Sequence, residues 1–188
     1  MNLTKCLEAY LPFNDQEAAD KPRLLAFLQE GDRIFTRDDT TAHFTASGWV
    51  VSPDRKRVLM VYHNIYHSWS WMGGHADGEK DLLSVARREI TEESGVKNLT
   101  LLSPDIFSVE VLTVDGHWKR GQYVPSHLHL NITYLFEADP EDTLRCKPDE
   151  NSDVAWIPIQ ELPQKVSEPW FLENIYSKLC RKVIASGL

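Results

Sequence analysis

Apolar residues recur along this chain with two different periods. Between Gly73 and Val96 the period is helical: Leu83, Ala86 and Ile90 form one stripe, and Leu82 and Val85 lie on its flank. Gly95 is suited to cap that helix at its C-terminal end, with apolar Val96 after it. Asp77 is the expected N-cap, because it precedes the apolar periodicity and its carboxylate can accept helix N–H groups. Elsewhere the pattern is that of strands. His43 to Val51 and Arg57 to Tyr62 are β-rich and separated by the turn Ser52-Pro53-Asp54-Arg55. Asp105 to Val114 and His127 to Phe136 alternate, and Val154 to Pro158 predicts a short strand.

The two ends read as helical. Residues 1–40 predict a helical N-terminal extension, with Leu24, Leu25, Phe27 and Leu28 in a short helix after Pro22 that Gly31 can stop. Glu168 to Ala185 predicts an amphipathic C-terminal helix. This order gives an α/β fold with a mixed sheet between helices, built from residues 41–188 behind the extension.

Composition narrows the function. At 188 residues with 42% apolar content, the chain can bury a substantial core. No apolar run has transmembrane length, and the N-terminal stretch lacks a basic, apolar signal pattern, so no membrane partner is expected. Three widely spaced cysteines, Cys6, Cys146 and Cys180, suit a reducing, cytoplasmic setting without disulfides. A net charge of −8 argues against a polynucleotide partner but not against a small nucleotide. The oligomeric state is open, a homodimer included.

The candidate chemistry lies in Arg88-Glu89-Ile90-Thr91-Glu92-Glu93-Ser94-Gly95. On a helix, Glu89, Glu92 and Glu93 are neighbours, and like charges that close call for a cation between them. Hard carboxylate oxygens favour Mg²⁺ or Mn²⁺, the ions that also hold phosphates. Gly73 and Gly74, just ahead, let backbone approach a ligand.

This run resembles the signature of the Nudix hydrolases, G-x5-E-x7-R-E-U-x-E-E-x-G-U, with U a bulky apolar residue. From Gly74 to Val96 it agrees at eight of nine specified positions. The exception is Lys80, where the family has Glu; Met72 also stands where many relatives have Pro. The resemblance implies an α/β/α sandwich and cleavage of a diphosphate linkage in a small nucleotide. It implies metal ligation by Glu89, Glu92, Glu93 and the Gly73 carbonyl, with Arg88 orienting the glutamates. Either Glu89 or Glu150, in the loop Lys147-Pro148-Asp149-Glu150-Asn151, accepts the proton of the attacking water. With Asp77 as N-cap, Lys80 falls at N3, where Glu would complete a capping box, so Lys80→Glu is expected to stabilise the helix start.

Two alternatives stay open. A nucleotide-binding sensor that catalyses weakly is suggested by Lys80. An isoprenyl diphosphate isomerase would need an acid/base cysteine near the site. Outside the signature, His127 and His129 share one strand face, but two ligands do not make a zinc site, and a pocket-lining role is expected. Tyr62, Tyr66, Trp69 and Trp71 are expected to pack the core before the glycines. Lys119 and Arg120 are expected to be solvated charges on a hairpin loop.

Overall fold

Ten residues without an exposed position, Ala42–Val51, form the central strand β1. Burial on both faces is possible because its alternate residues satisfy different layers. The computed structural model describes residues 2–119 and 121–187. Ahead of β1 lie helices α1 (Leu3–Ala9) and α2 (Asp15–Leu28) and a short 3-10 turn, Asp32–Phe35. After it come β2 (Arg57–His63), β3 (Ser68–Ser70), β4 (Met72–His75), α3 (Leu82–Ser94), β5 (Leu99–Leu101) and β6 (Ser108–Val114). A small hairpin, β7 (His117–Lys119) and β8 (Gln122–Val124), leads to the long strand β9 (His127–Ala138) and to β10 (Asn151–Pro158). The chain ends in α4 (Leu162–Lys165), α5 (Pro169–Phe171), a π turn over Leu172–Tyr176 and α6 (Ser177–Ser186).

The main sheet is mixed, with the order β10-β2-β1-β9-β5. β9 lies parallel to β1 over its whole length, from Ala42↔Leu128 to Val51↔Glu137. On its other side β1 is shared. It meets β2 only at Val51↔Val58 and pairs antiparallel with β4 from Thr45↔His75 to Gly48↔Met72. β1 thus splays away from β2, and β4 fills the gap.

The two faces of the sheet differ. Phe44, Ala46, Leu130 and Ile132 pack under α3, joined by Leu7 and Leu24 from α1 and α2. Gly48 is needed here, since a Cβ would lie 2.2 Å from the Ile90 side chain. On the opposite face Trp49, Val51 and Leu135 pack against Tyr176, Leu179 and Val183 of the C-terminal run. Helices therefore cover both faces, giving the α/β/α sandwich.

Several element bounds depart from expectation. α2 is one helix that includes Pro22 and ends at a Gln29 cap, not at Gly31. Pro22 and Ala18, whose carbonyl loses its partner there, are both exposed, so water can satisfy the group. The C-terminal helix is interrupted by the π turn, where the Ser177 hydroxyl donates to the Leu172 carbonyl at 2.7 Å. Trp69 and Trp71 do pack, edge-on against Tyr62 and Tyr176, while Tyr66 is 48% exposed against His63. Arg120 and the side chain of Lys119 lie outside the described residues. Among the described residues, no helix is long and apolar enough to cross a membrane.

Candidate active site

The apolar stripe of α3 fixes which of its carboxylates meet β4. Leu82, Val85, Ala86 and Ile90 are buried in the core, which turns Glu89 and Glu93 toward β4. The helix closes at Gly95, in the left-handed conformation (φ 71°), with its N–H on the Thr91 carbonyl. The start differs from the expectation. Asp81, not Asp77, is the N-cap, and its carboxylate accepts from the Ser84 N–H at 3.4 Å and hydroxyl at 2.8 Å. Asp77 (φ 49°) and Gly78 (φ 91°) both have positive φ, which bars a helix from beginning there. Asp77 instead pairs with Arg37, its Oδ1 2.7 Å from Arg37 Nε. Lys80 therefore precedes the cap and pairs with exposed Asp32 at 2.6 Å. It does not occupy N3, so the expected gain from Lys80→Glu through a capping box is withdrawn.

Glu93 is 4% exposed, and its carboxylate accepts the Gly73 N–H at 2.9 Å. Burial pushes its pKa up to about 8, and repulsion from Glu150 and Glu89 adds to that despite the N–H bond. Glu89 lies against Gly74, where a Cβ would come within 2.5 Å of the carboxyl carbon, so any larger residue would push that carboxylate out of its present position. Burial raises Glu89 as well, opposed by Arg88, whose guanidinium is 2.9 Å from the carboxylate.

Glu150 arrives from the loop before β10. The loop is held by the Asn151 side chain, which donates to the Glu93 carbonyl at 3.1 Å, and by the Asn64 N–H on the Glu150 carbonyl at 3.0 Å. Carboxylate oxygens of Glu89, Glu93 and Glu150 lie within 4.8 Å of one another. Glu92 is outside this group, at the rim, 46% exposed and paired with Lys147 at 3.2 Å. Lys147 also contacts Glu150 at 3.1 Å. Partial burial disfavours its charge, but Glu150 and Glu92 outweigh that and hold its pKa above the ordinary lysine value.

Of the residues expected from the sequence, then, Glu89, Glu93 and Glu150 converge, Arg88 braces Glu89, and Glu92 guards the edge. Gly73 meets Glu93 through its N–H. Lys147 and Asn151 went unnoticed, although both stand in the same loop segment as Glu150. Cys146, just before Lys147, is the cysteine nearest this loop in sequence, and all three cysteines are unpaired.

Three converging carboxylates, two of them raised in pKa by burial, with their cations only at the rim, fit a divalent metal, whose charge would stabilise the ionised forms.

Comparison with known proteins agrees. The NUDIX domain family model matches residues 42–179. An RNA pyrophosphohydrolase of Bartonella henselae is 26% identical over 139 residues, covering 66% of this chain and 76% of that protein. A hydrolase of the NUDIX family from Clostridium perfringens has a TM-score of 0.56 at 19% identity, covering 77% of this chain and 97% of that one. A Caenorhabditis elegans Ap4A hydrolase, solved as a binary complex, has a TM-score of 0.55 at 19% identity, covering 77% and 98%. With the glutamate-bearing helix, the paired glycines and the mixed sheet in place, and with the family model matching more than half its length, this chain belongs to the Nudix hydrolase family.

Proposed function

We propose that this protein is a Mg²⁺- or Mn²⁺-dependent pyrophosphohydrolase acting on a nucleoside diphosphate linked to another group. The observation that carries the reading is the convergence of Glu89, Glu93 and Glu150 within 4.8 Å, with buried Glu93 raised to about 8. Glu89 and Glu93 would hold the cation, with Glu92 and the Gly73 carbonyl completing the set at the rim. Bound there, a divalent ion supplies charge neutralisation at the phosphates and acidifies water.

The remaining work falls to the chain itself. Arg88 keeps the Glu89 carboxylate in one orientation through their 2.9 Å contact. Glu150, on a loop and 42% exposed, is reachable by water, and we assign it the role of proton acceptor. Lys147 lies beside it and can meet a phosphate oxygen as the substrate displaces its present carboxylate partners. The step requires little covalent chemistry beyond positioning the water and neutralising charge. Water adds to one phosphorus, the bridging P–O bond breaks, and the leaving phosphoryl group takes the electron pair.

Lys80, paired with Asp32 away from the carboxylates, gives no support to a weakly catalytic sensor. The unpaired cysteines suit a cytoplasmic protein.

A substrate panel tests the reading with each metal: nucleotide sugars, dinucleotides, nucleoside triphosphates, ADP-ribose and 5′-triphosphorylated RNA. The last is included because of the Bartonella relative's name. A diphosphate-linked substrate should yield a nucleoside monophosphate and the phosphorylated second group. Preferred turnover of the RNA would overturn the small-nucleotide assignment. Tight binding without turnover of any member would overturn the hydrolase assignment.

A further inference from the structure

On the face of β4 opposite Glu89, four imidazoles meet. β1 pairs His43 with His129 of β9 and Thr45 with His75 of β4. Directly paired residues share a face, and so do residues two apart on one strand, so His43, His75, His127 and His129 all project to one side. Ring centroids of His43 lie 5.1 Å from His75, 4.9 Å from His127 and 5.1 Å from His129. Those of His75 and His129 are 4.9 Å apart. Ring nitrogens of His43, His75 and His129 fall within 4.8 Å of one another.

The orientation of the rings matters more than their proximity. His43 Nδ1 is 3.0 Å from the Asp39 carbonyl. A carbonyl only accepts, so Nδ1 carries the proton and Nε2 presents a lone pair. His43 is 4% exposed, and that Nε2 has no hydrogen-bond partner among the described residues. A buried acceptor without a partner is destabilising. His127 repeats the arrangement: Nδ1 is 2.9 Å from the Pro125 carbonyl, and Nε2 is 3.2 Å from His129 Nε2. One ring nitrogen anchored on backbone and the other aimed inward is how metal-ligating histidines are held. Zinc–nitrogen bonds of about 2.0–2.1 Å in a tetrahedron set neighbouring ligand nitrogens about 3.3 Å apart. The His127–His129 spacing is already close to that edge.

We propose that His43, His75 and His129 bind a zinc-class transition-metal ion through their ring nitrogens, with His127 as the fourth ligand. Imidazole sets suit Zn²⁺, Ni²⁺ or Cu²⁺, whereas Mg²⁺ prefers oxygens, so this site and the glutamates select different ions. Anion binding would instead need His43 protonated on both nitrogens, placing a charge in a buried position among three other imidazoles. The ion ties β1, β4 and β9 together at the strand that presents Gly73 and Gly74. The proposal does not depend on the hydrolase reading.

The test uses untagged protein stripped by a chelator and titrated with Co²⁺, then Zn²⁺. One equivalent of Co²⁺ should give the visible absorption of a tetrahedral site, be displaced by Zn²⁺ and persist in a large excess of Mg²⁺. Zn²⁺ should raise the melting temperature by about 5 °C or more. His129→Asn and His75→Asn should abolish both effects, His127→Asn should weaken binding by at least tenfold, and Glu93→Gln should change neither. Absence of a stoichiometric band overturns the proposal. So does a band that survives His129→Asn or vanishes in Glu93→Gln. Should His129→Asn fail to fold, His75→Asn, at a half-buried position on β4, decides the matter alone.

Discussion

Two groups of carboxylates in this molecule, one fully buried and one reaching from the interior to the surface, have opposite surroundings. Glu17 and Glu110, both fully buried, face Lys178 and Lys182 of the C-terminal helix, two anions against two cations. Each carboxylate is further satisfied: Glu17 by the Tyr10 hydroxyl at 2.6 Å and the Phe13 N–H at 2.7 Å, Glu110 by Asn131 at 2.8 Å and Thr133 at 3.0 Å. Burial alone would raise the pKa of Glu17, yet Lys178, Lys182 and these hydrogen bonds hold it below the ordinary value. Glu89, Glu93 and Glu150 have no such balance, since Arg88 and Lys147 sit at the rim and Glu93 is raised to about 8. A matched set of charges is a structural element. An unmatched set fits the cation proposed above, which would come from outside.

The largest expected effect separates the two groups by activity. Glu93→Gln should lower kcat by orders of magnitude, on the order of a thousandfold, while leaving the melting temperature without metal unchanged or raised. Near-normal turnover of this variant would remove Glu93 from the metal site. Glu150→Gln should lower kcat while Mn²⁺ affinity, measured by calorimetry, survives.

Breaking the balanced group should act on stability instead. Lys178→Met leaves buried carboxylates short of a cation and should cost about 3–5 kcal/mol in urea denaturation. Adding Glu110→Gln should recover part of that loss. A Lys178→Met protein as stable as the parent would show that the network is not the balanced set described here.

The pH dependence of the metal-free protein sharpens the contrast. Folded Glu93 keeps its proton to about pH 8, whereas the unfolded chain releases it near 4.5. Between these values the folded state binds more protons, so stability should fall as pH rises. Melting midpoints with a chelator should drop from about pH 6 to about pH 8.5, and Glu93→Gln or added Mg²⁺ should flatten the slope. The smallest effects belong to charges outside both groups. Asp81→Ala should cost about 1 kcal/mol as a lost helix cap, and Lys80→Glu should stay within about 0.5 kcal/mol. A larger gain from Lys80→Glu would restore that residue to the helix start.

What could be seen in the sequence was what neighbours in the sequence decide. The α3 stripe, the Gly95 cap and the glutamate spacing are all set within a few turns of one helix. The longer strands of the main sheet, β1, β2, β6, β9 and β10, are legible to within a few residues, whereas the short β3, β4 and β5 are not, because three or four residues carry too little pattern. The helix start was misplaced because Asp77 and Asp81 are equally good caps by type, and only the positive φ of Asp77 and Gly78 chooses between them. Long-range pairings left no local trace. Lys147 meets Glu92 across 55 positions, and Lys182 meets Glu17 across 165. The histidine cluster was missed for the same reason, since counting ligands along His127 and His129 cannot reveal that sheet register delivers His43 and His75 to them.

The pairing of β1 with β9 also has a consequence for how the molecule comes into being. Thr45 and Asn131, joined through their side chains, are 86 positions apart, and the lysines that neutralise Glu17 and Glu110 stand in the last helix. Contacts this distant close slowly, because the intervening loop must first surrender its freedom. On the ribosome, β4 and the glutamate helix emerge while the centre of the sheet still lacks its parallel neighbour and two interior carboxylates lack their cations. The glutamate helix is thus translated early but its surroundings are completed late, and α6 supplies the cations that the two interior carboxylates require.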